Sequence, residues 1–245
     1  YLADYYLPNE KLDEMLAKIG RVQVNRISPM GKNPFAKIDS ITARVKRVCQ
    51  SKWKSFTFAY CDEPFSTMRS KGAYHPDNTQ LIKILNEKME VLCNSLSDTA
   101  VLITSTHGIS DVENIMLSKD SEIAEMLQFP ISMESRAVSF YVKPECKDSF
   151  RQKFEAKYGN DFILYSKEDI ENKKLFGNGE PNKNITGIGD FIAVATGDKA
   201  FIWDENSPSK ICACGGLTDK EVSVPLIIIE KEGENTLAFE RRSKN

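Results

Sequence analysis

Apolar positions recur at helical spacing from the first segment onward. Leu12, Met15, Leu16 and Ile19 share one face over residues 8–19, with Asn9 as an N-cap and Gly20 as a stop. Residues 21–35 carry Pro29, Gly31 and Pro34 and read as a loop or cap segment. The helical period returns over 37–53, where Ile38, Ile41, Val45, Val48 and Cys49 form an apolar face. A short aromatic strand is expected over 56–61. It is followed by a long helix over 77–96, capped by Asp77 or Asn78, and a second strand over 100–106. Strand, helix and strand in ~50 residues make a βαβ unit, which predicts parallel strands joined by a right-handed crossover. Their C-terminal tips, near 62–69 and 106–110, then share one sheet edge, where open α/β sheets place their chemistry.

Downstream, the pattern predicts a short helix over 121–127, an alternating strand over 137–143 and a helix over 144–158 that Gly159 ends. A strand over 162–165 precedes a helix capped by Ser166. Residues 174–189 read as loop, and 191–195 as a strand whose hairpin partner is 200–203. After a loop over 208–217, Thr218 and Glu221 stand at capping-box spacing. Residues 224–229 read as a buried strand. The expected fold is a three-layer α/β arrangement, a mostly parallel sheet with helices on both faces. It forms a single domain over 1–245: helix and cap-like loop over 1–37, sheet core over 38–230, polar tail over 231–245.

Charge and composition narrow the function classes. A net charge of −2 gives no basic footprint for nucleic acid or anionic membrane. No apolar run approaches the ~20 residues of a membrane span. The start, Tyr1-Leu2-Ala3-Asp4-Tyr5, is no signal peptide and lacks Met, so the chain is expected to begin inside a longer reading frame or to be processed. The six cysteines have no scaffold spacing, which favours a reducing compartment and a cytoplasmic location. One helix face bears Arg44, Lys46, Arg47, Lys52 and Lys54. It reads as a solvated basic face or as an anion-binding surface.

The two tips carry a resemblance. Asp62-Glu63-Pro64-Phe65-Ser66-Thr67-Met68-Arg69, a helix, then Leu102-Ile103-Thr104-Ser105-Thr106-His107-Gly108 resembles type I phosphodiesterases/nucleotide pyrophosphatases of the alkaline phosphatase superfamily. Ser139-Phe140-Tyr141-Val142-Lys143-Pro144, Ile188-Gly189-Asp190 and Gly215-Gly216-Leu217-Thr218 are similar to the bacterial branch. The resemblance runs from about Ala36 and covers the C-terminal part of the family's catalytic domain. It implies an alkaline-phosphatase-like fold, in part, and a site for two divalent cations, usually zinc. It places metal-ligand positions at Phe65, Arg69, Thr106, His107 and Cys214, and only His107 is the expected residue. The remaining ligand and the nucleophile belong upstream of Tyr1.

On that footing the zinc pair is expected to be lost or incomplete, with no catalytic residue in this chain. The leading expectation is a catalytically impaired phosphodiesterase, either a pseudoenzyme or a fragment. One alternative is an active hydrolase with a rearranged site of Cys214, His107, Asp62 and Asp111. Another is a phosphate- or nucleotide-binding module in which Arg69 holds the anion bidentately. The bland reading of Arg69 is a solvated side chain. Asp62 and Glu63 read as structural, since neighbours on an extended tip point to opposite sides. Cys212-x-Cys214 is a weak zinc signal. Ser105 or Thr106 beside His107 lacks a nucleophile elbow. His75 and Asp190 read as loop or turn residues, and Asp111 as a group that sets the His107 tautomer.

Overall fold

The structure is a computed structural model that describes residues 12–20, 22–51, 53–178 and 187–232. The proposed Asn9 cap, Lys52, the middle of the 174–189 loop and the tail beyond 232 lie outside the described residues. In chain order the elements are α1 (Leu12–Ile19), β1 (Gln23–Ile27), α2 (Pro34–Cys49), β2 (Ser55–Ala59), α3 (Phe65–Lys71), α4 (Pro76–Asn94), β3 (Thr99–Thr104), β4 (Ser110–Asp111) and β5 (Glu113–Met116). Then follow α5 (Ser121–Ala124), β6 (Ser132–Glu134), β7 (Ala137–Phe140), α6 (Lys147–Tyr158), β8 (Phe162–Ser166), α7 (Lys167–Asn172), β9 (Phe191–Ala195), β10 (Lys199–Ile202), β11 (Cys212–Ala213), α8 (Asp219–Val222) and β12 (Leu226–Lys231).

The helix starts follow from local chemistry. Asn33 caps α2 by accepting from the Ala36 N–H at 2.9 Å, with Pro34 at the first helical position. Ser166 and Asp169 form a reciprocal capping box on α7. At α4 the cap is His75, whose Nδ1 accepts from the Asp77 N–H at 3.2 Å, rather than Asp77 or Asn78. His75 is therefore a helix-terminus residue, not a loose loop position.

The chain groups into two compact units. The first holds residues 1–68, 74–104 and 225–245. Here β1 pairs with β2 in parallel, Gln23 opposite Ser55 through Ile27 opposite Ala59. β3 pairs antiparallel with β12, Thr99 opposite Lys231 through Thr104 opposite Leu226. In the described ladders β2 and β3 thus take different partners. β1 comes from the stretch read as loop. Its sequence, Gln-Val-Asn-Arg-Ile, is polar enough to hide a strand whose ladder is set by backbone bonds. β12 is less buried than its apolar run predicts, with Leu226, Ile227 and Ile228 exposed. Phe58 of β2 is exposed as well. Ile38, Ile41, Leu81, Leu92 and Cys93 are buried on α2 and α4, as the helical period requires.

The second unit holds residues 69–73 and 105–224. Its main sheet is β6-β7-β9-β8, antiparallel throughout. Phe140, Phe150, Phe154, Phe162 and Phe201 are fully buried around it. Phe162 stacks on Phe201 at 4.5 Å between centroids. Aromatic burial of this kind is the main favourable contribution to a core. The expected hairpin of 191–195 with 200–203 does not form. β10 instead runs parallel to β5. After β9 the Thr196 and Gly197 N–H groups bond to Asp161 O, and Asp198 O takes the Glu113 N–H at 2.9 Å, which carries the chain across to β5. The fold is thus α/β, but β1–β2 and β5–β10 are its parallel ladders and the other described ladders are antiparallel. The short helix expected over 121–127 stops at Ala124, because Leu127 enters a bridge with Val142.

Candidate functional site

In the first unit, the chain leaves β2 and enters α3 through Asp62 and Glu63. The two carboxylates do not diverge, as the extended tip predicted. Both meet Lys37 of α2: Lys37 Nζ lies 2.6 Å from Asp62 Oδ2 and 3.1 Å from Glu63 Oε1. Each also closes the start of α3. Ser66 Oγ donates to Asp62 Oδ2 at 2.9 Å, and Thr67 donates to Glu63 Oε2 through N–H at 3.2 Å and Oγ1 at 2.8 Å. Negative charge at a helix start is favourable, so the structural reading holds. Burial raises the Asp62 pKa, but the bonds from Lys37 and Ser66 outweigh it and hold the carboxyl below its ordinary value. Asp62 Oδ1 is sealed from solvent with no hydrogen-bond partner among the described residues. Phe65 and Arg69 stand four positions apart on α3 and so share a face. Phe65 is half-buried and Arg69 exposed.

In the second unit, the tip after β3 and the loop after β11 come together. His107 Nε2 lies 3.8 Å from Cys214 Sγ. His107 Nδ1 lies 2.8 Å from Gly108 O. A carbonyl oxygen can only accept, so Nδ1 carries the proton and the Nε2 lone pair of the neutral ring faces the thiol. Gly108 O, not Asp111, therefore sets the tautomer. Asp111 accepts from the Ala73 N–H at 2.6 Å and sits opposite Cys212 in the β4–β11 ladder. Burial, then the charges of Glu134 and Glu221, push the Cys214 thiol up, while Arg69 and Arg136 pull it down. Burial and Asp111 push Cys212 up to about 11, again opposed by Arg69.

Beneath this pair is a group that sequence reasoning did not single out. Arg136, between β6 and β7, is fully buried. Its Nε and Nη2 grip the Glu221 carboxylate at 2.6 and 2.5 Å. Its remaining N–H groups donate to Lys199 O at 2.6 Å and Gly197 O at 2.8 Å. Glu221 also accepts from the Gly216 N–H at 2.9 Å and Thr218 Oγ1 at 2.6 Å, and its own carbonyl accepts from the Gly108 N–H at 2.7 Å. One ion pair thus fixes the residues after Cys214 and the residue after His107. Gly216 is obligatory there, since a Cβ would lie 2.6 Å from Glu221 Oε2 and 2.8 Å from Ala195 O. Asp190 is likewise more than a turn residue. It accepts from the Val142 N–H at 2.9 Å and from Lys147 Nζ at 2.5 Å.

The donor set can be tested against zinc. Ligand bonds of ~2.0–2.3 Å at tetrahedral angles put neighbouring donors about 3.5 Å apart, close to the His107–Cys214 spacing. Two donors fall short of the three or four that zinc takes. Among the described residues no three His, Cys, Asp or Glu side chains converge to hold a metal ion. Among the described residues, the His107–Cys214 pair does not make up the donor set of a two-cation site.

The fold is alkaline-phosphatase-like, in part, of the nucleotide pyrophosphatase/phosphodiesterase kind. Among solved structures the chain is similar to murine ectonucleotide pyrophosphatase/phosphodiesterase 5, as an inactive variant in complex with AMP, at 13% identity and a TM-score of 0.62 over 88% of this chain and 64% of that one. The murine protein without that description matches at 13% and 0.61, over 88% and 64%. The human protein matches at 15% identity and 0.59, over 89% of this chain and 62% of that one. The chain therefore spans less than two thirds of the length of these structures. No family model and no curated protein matches the sequence. Among the described residues no helix is long and apolar enough to cross a membrane.

Proposed function

We propose that this chain is the metal-side part of a phosphodiesterase/nucleotide pyrophosphatase-type domain that is catalytically impaired. The observation that carries this reading is electrostatic. Burial raises the pKa of both Cys212 and Cys214, and the Arg69 guanidinium is close enough to oppose part of that rise, so a fixed positive charge acts near the His107–Cys214 pair. A permanent cation there opposes a second cation and replaces part of its charge. The purified chain, supplied with zinc, is expected to hydrolyse bis(p-nitrophenyl) phosphate no faster than buffer. Two zinc ions bound per molecule together with turnover would overturn the reading.

A second reading, retention of nucleotide binding, is favoured by the fold neighbour in complex with AMP. In it Arg69 holds the phosphate as a bidentate donor. AMP is expected to shift the imidazole resonances of His107, and Arg69→Ala to weaken that response about tenfold or more. An unchanged response in Arg69→Ala excludes Arg69 as the anion ligand. The scattered spacing of the six cysteines favours a reducing, cytoplasmic setting.

A further inference from the structure

Cys212, Cys214 and His107 form a cluster whose chemistry is not that of a phosphoester site. The two cysteines flank Ala213 at β11, and alternation along an extended chain turns residues two apart to the same side. The charges agree: the Arg69 guanidinium acts on both thiols, and Cys214 acts on Cys212. The two thiols are not equally placed. Cys212 is buried inside the β4–β11 ladder, whereas Cys214 is partly exposed just beyond it. The lone pair of His107 Nε2 faces Cys214 Sγ at 3.8 Å, because Nδ1 donates to Gly108 O. A nucleophile, a base and a group that orients the base thus stand in line.

We infer that Cys212 and Cys214 form a dithiol redox site that exchanges with small-molecule disulfides, with Cys214 as the attacking thiol, His107 as its base and Cys212 as the resolving thiol. This goes beyond the phosphodiesterase reading and stands or falls without it. In the first step the Cys214 sulfur attacks one sulfur of the small disulfide, its proton passes to His107 Nε2, and the S–S bond breaks. The released thiolate takes that proton from the ring. In the second step the Cys212 sulfur attacks the Cys214 sulfur, the mixed disulfide breaks, and the second small thiol leaves with the Cys212 proton. The protein is oxidised by one pair of hydrogens, and the small disulfide is reduced by the same pair. Burial raises both thiols, so a proton acceptor beside Cys214, rather than a standing thiolate, decides which sulfur attacks first. Geometry makes the product reversible. Residues two apart on an extended strand have Cα atoms about 6.4–6.8 Å apart, at the upper end of the roughly 4.4–6.8 Å that a disulfide spans. A bond at that limit is readily reduced, as a redox couple must be and a structural crosslink must not. Closure is possible because Cys214 lies outside the ladder, and Gly215, at φ +106°, frees the chain behind it.

The test is reaction of the whole reduced chain with oxidised glutathione in EDTA, followed by mass mapping of tryptic peptides. Both cysteines lie in one peptide, residues 211–220, which follows Lys210 and ends at Lys220. In wild type that peptide is expected to become internally oxidised, at a rate about tenfold or more above glutathione addition to Cys146, which is also partly exposed. Cys212→Ser should stop with glutathione held on Cys214. Cys214→Ser should leave the buried Cys212 unreacted over the same time. His107→Gln should slow Cys214 about tenfold or more without changing Cys146. The inference is overturned if wild-type Cys214 reacts no faster than Cys146, if the wild-type mixed disulfide does not close, or if Cys212 reacts as fast in Cys214→Ser. It is equally overturned if His107→Gln leaves the Cys214 rate unchanged. Should His107→Gln loosen the unit, seen as a faster Cys146, the wild-type ratio of Cys214 to Cys146 decides.

Discussion

Glu221→Ala is expected to destabilise the second unit by about 3–5 kcal/mol, because it strands the Arg136 guanidinium in the core. Both side chains are essentially inaccessible, at 0% and 1% exposure. Arg136 would keep its bonds to Lys199 O and Gly197 O but lose the carboxylate it grips. Gly216 N–H and Thr218 Oγ1 would lose their acceptor in the same step. The measurement is the urea dependence of hydrogen exchange in β7 and β9, and a loss below about 1 kcal/mol would sink the argument. Replacing both residues by Met should recover part of the loss, since removing a whole buried pair is far milder than breaking it.

The same pair sets a pH dependence. Burial raises the Glu221 pKa, but Arg136, Thr218 and the Gly216 N–H outweigh it, and the carboxyl is held below its usual value of 4.5. A depressed folded-state pKa stabilises the fold fully above the unfolded value and loses that contribution as pH falls through the folded value. Wild-type stability should therefore drop as pH falls below about 4.5, while Glu221→Gln shows none of that contribution.

Much of the helical scaffold was legible because helix signals are local. The Ser166 cap and the apolar faces of α2 and α4 each rest on residues within a few positions of one another. Strand pairing was not, since partners are set by backbone bonds between distant segments. β1 hides in a polar stretch, and β12 returns from residue 226 to pair with β3. At the site, a structural role for Asp62 and Glu63 could be read from the tip, but not Lys37, which arrives from 25 and 26 residues earlier. Cys214 and His107 are 107 residues apart, and it took the resemblance and the weak Cys212-x-Cys214 signal to point to both. Arg136 had no periodicity or motif to mark it. Its meaning depends on Glu221, 85 residues later.

Arg69→His, Thr106→Asp and Cys214→His, combined, are expected to raise zinc affinity roughly 100-fold or more over the parent, without restoring hydrolysis. Half of the preparation already exists. The bond from His107 Nδ1 to Gly108 O holds the ring in the tautomer that a metal on Nε2 requires. The 3.8 Å to Cys214 is close to one edge of a zinc tetrahedron, so a donor there needs little movement. Two further changes are needed: a carboxylate beside His107, and removal of the Arg69 charge that acts on the pair. Keeping Arg69 while making the other two substitutions should give a clearly weaker site, because a fixed cation repels the metal. Calorimetry with zinc, followed by back-titration with a chelator, separates the three cases. If the triple variant binds no more tightly than the parent, the correspondence of these positions with metal ligands is wrong. If the variant that keeps Arg69 binds as tightly as the triple variant, Arg69 is a solvated side chain and the electrostatic basis for impairment falls with it.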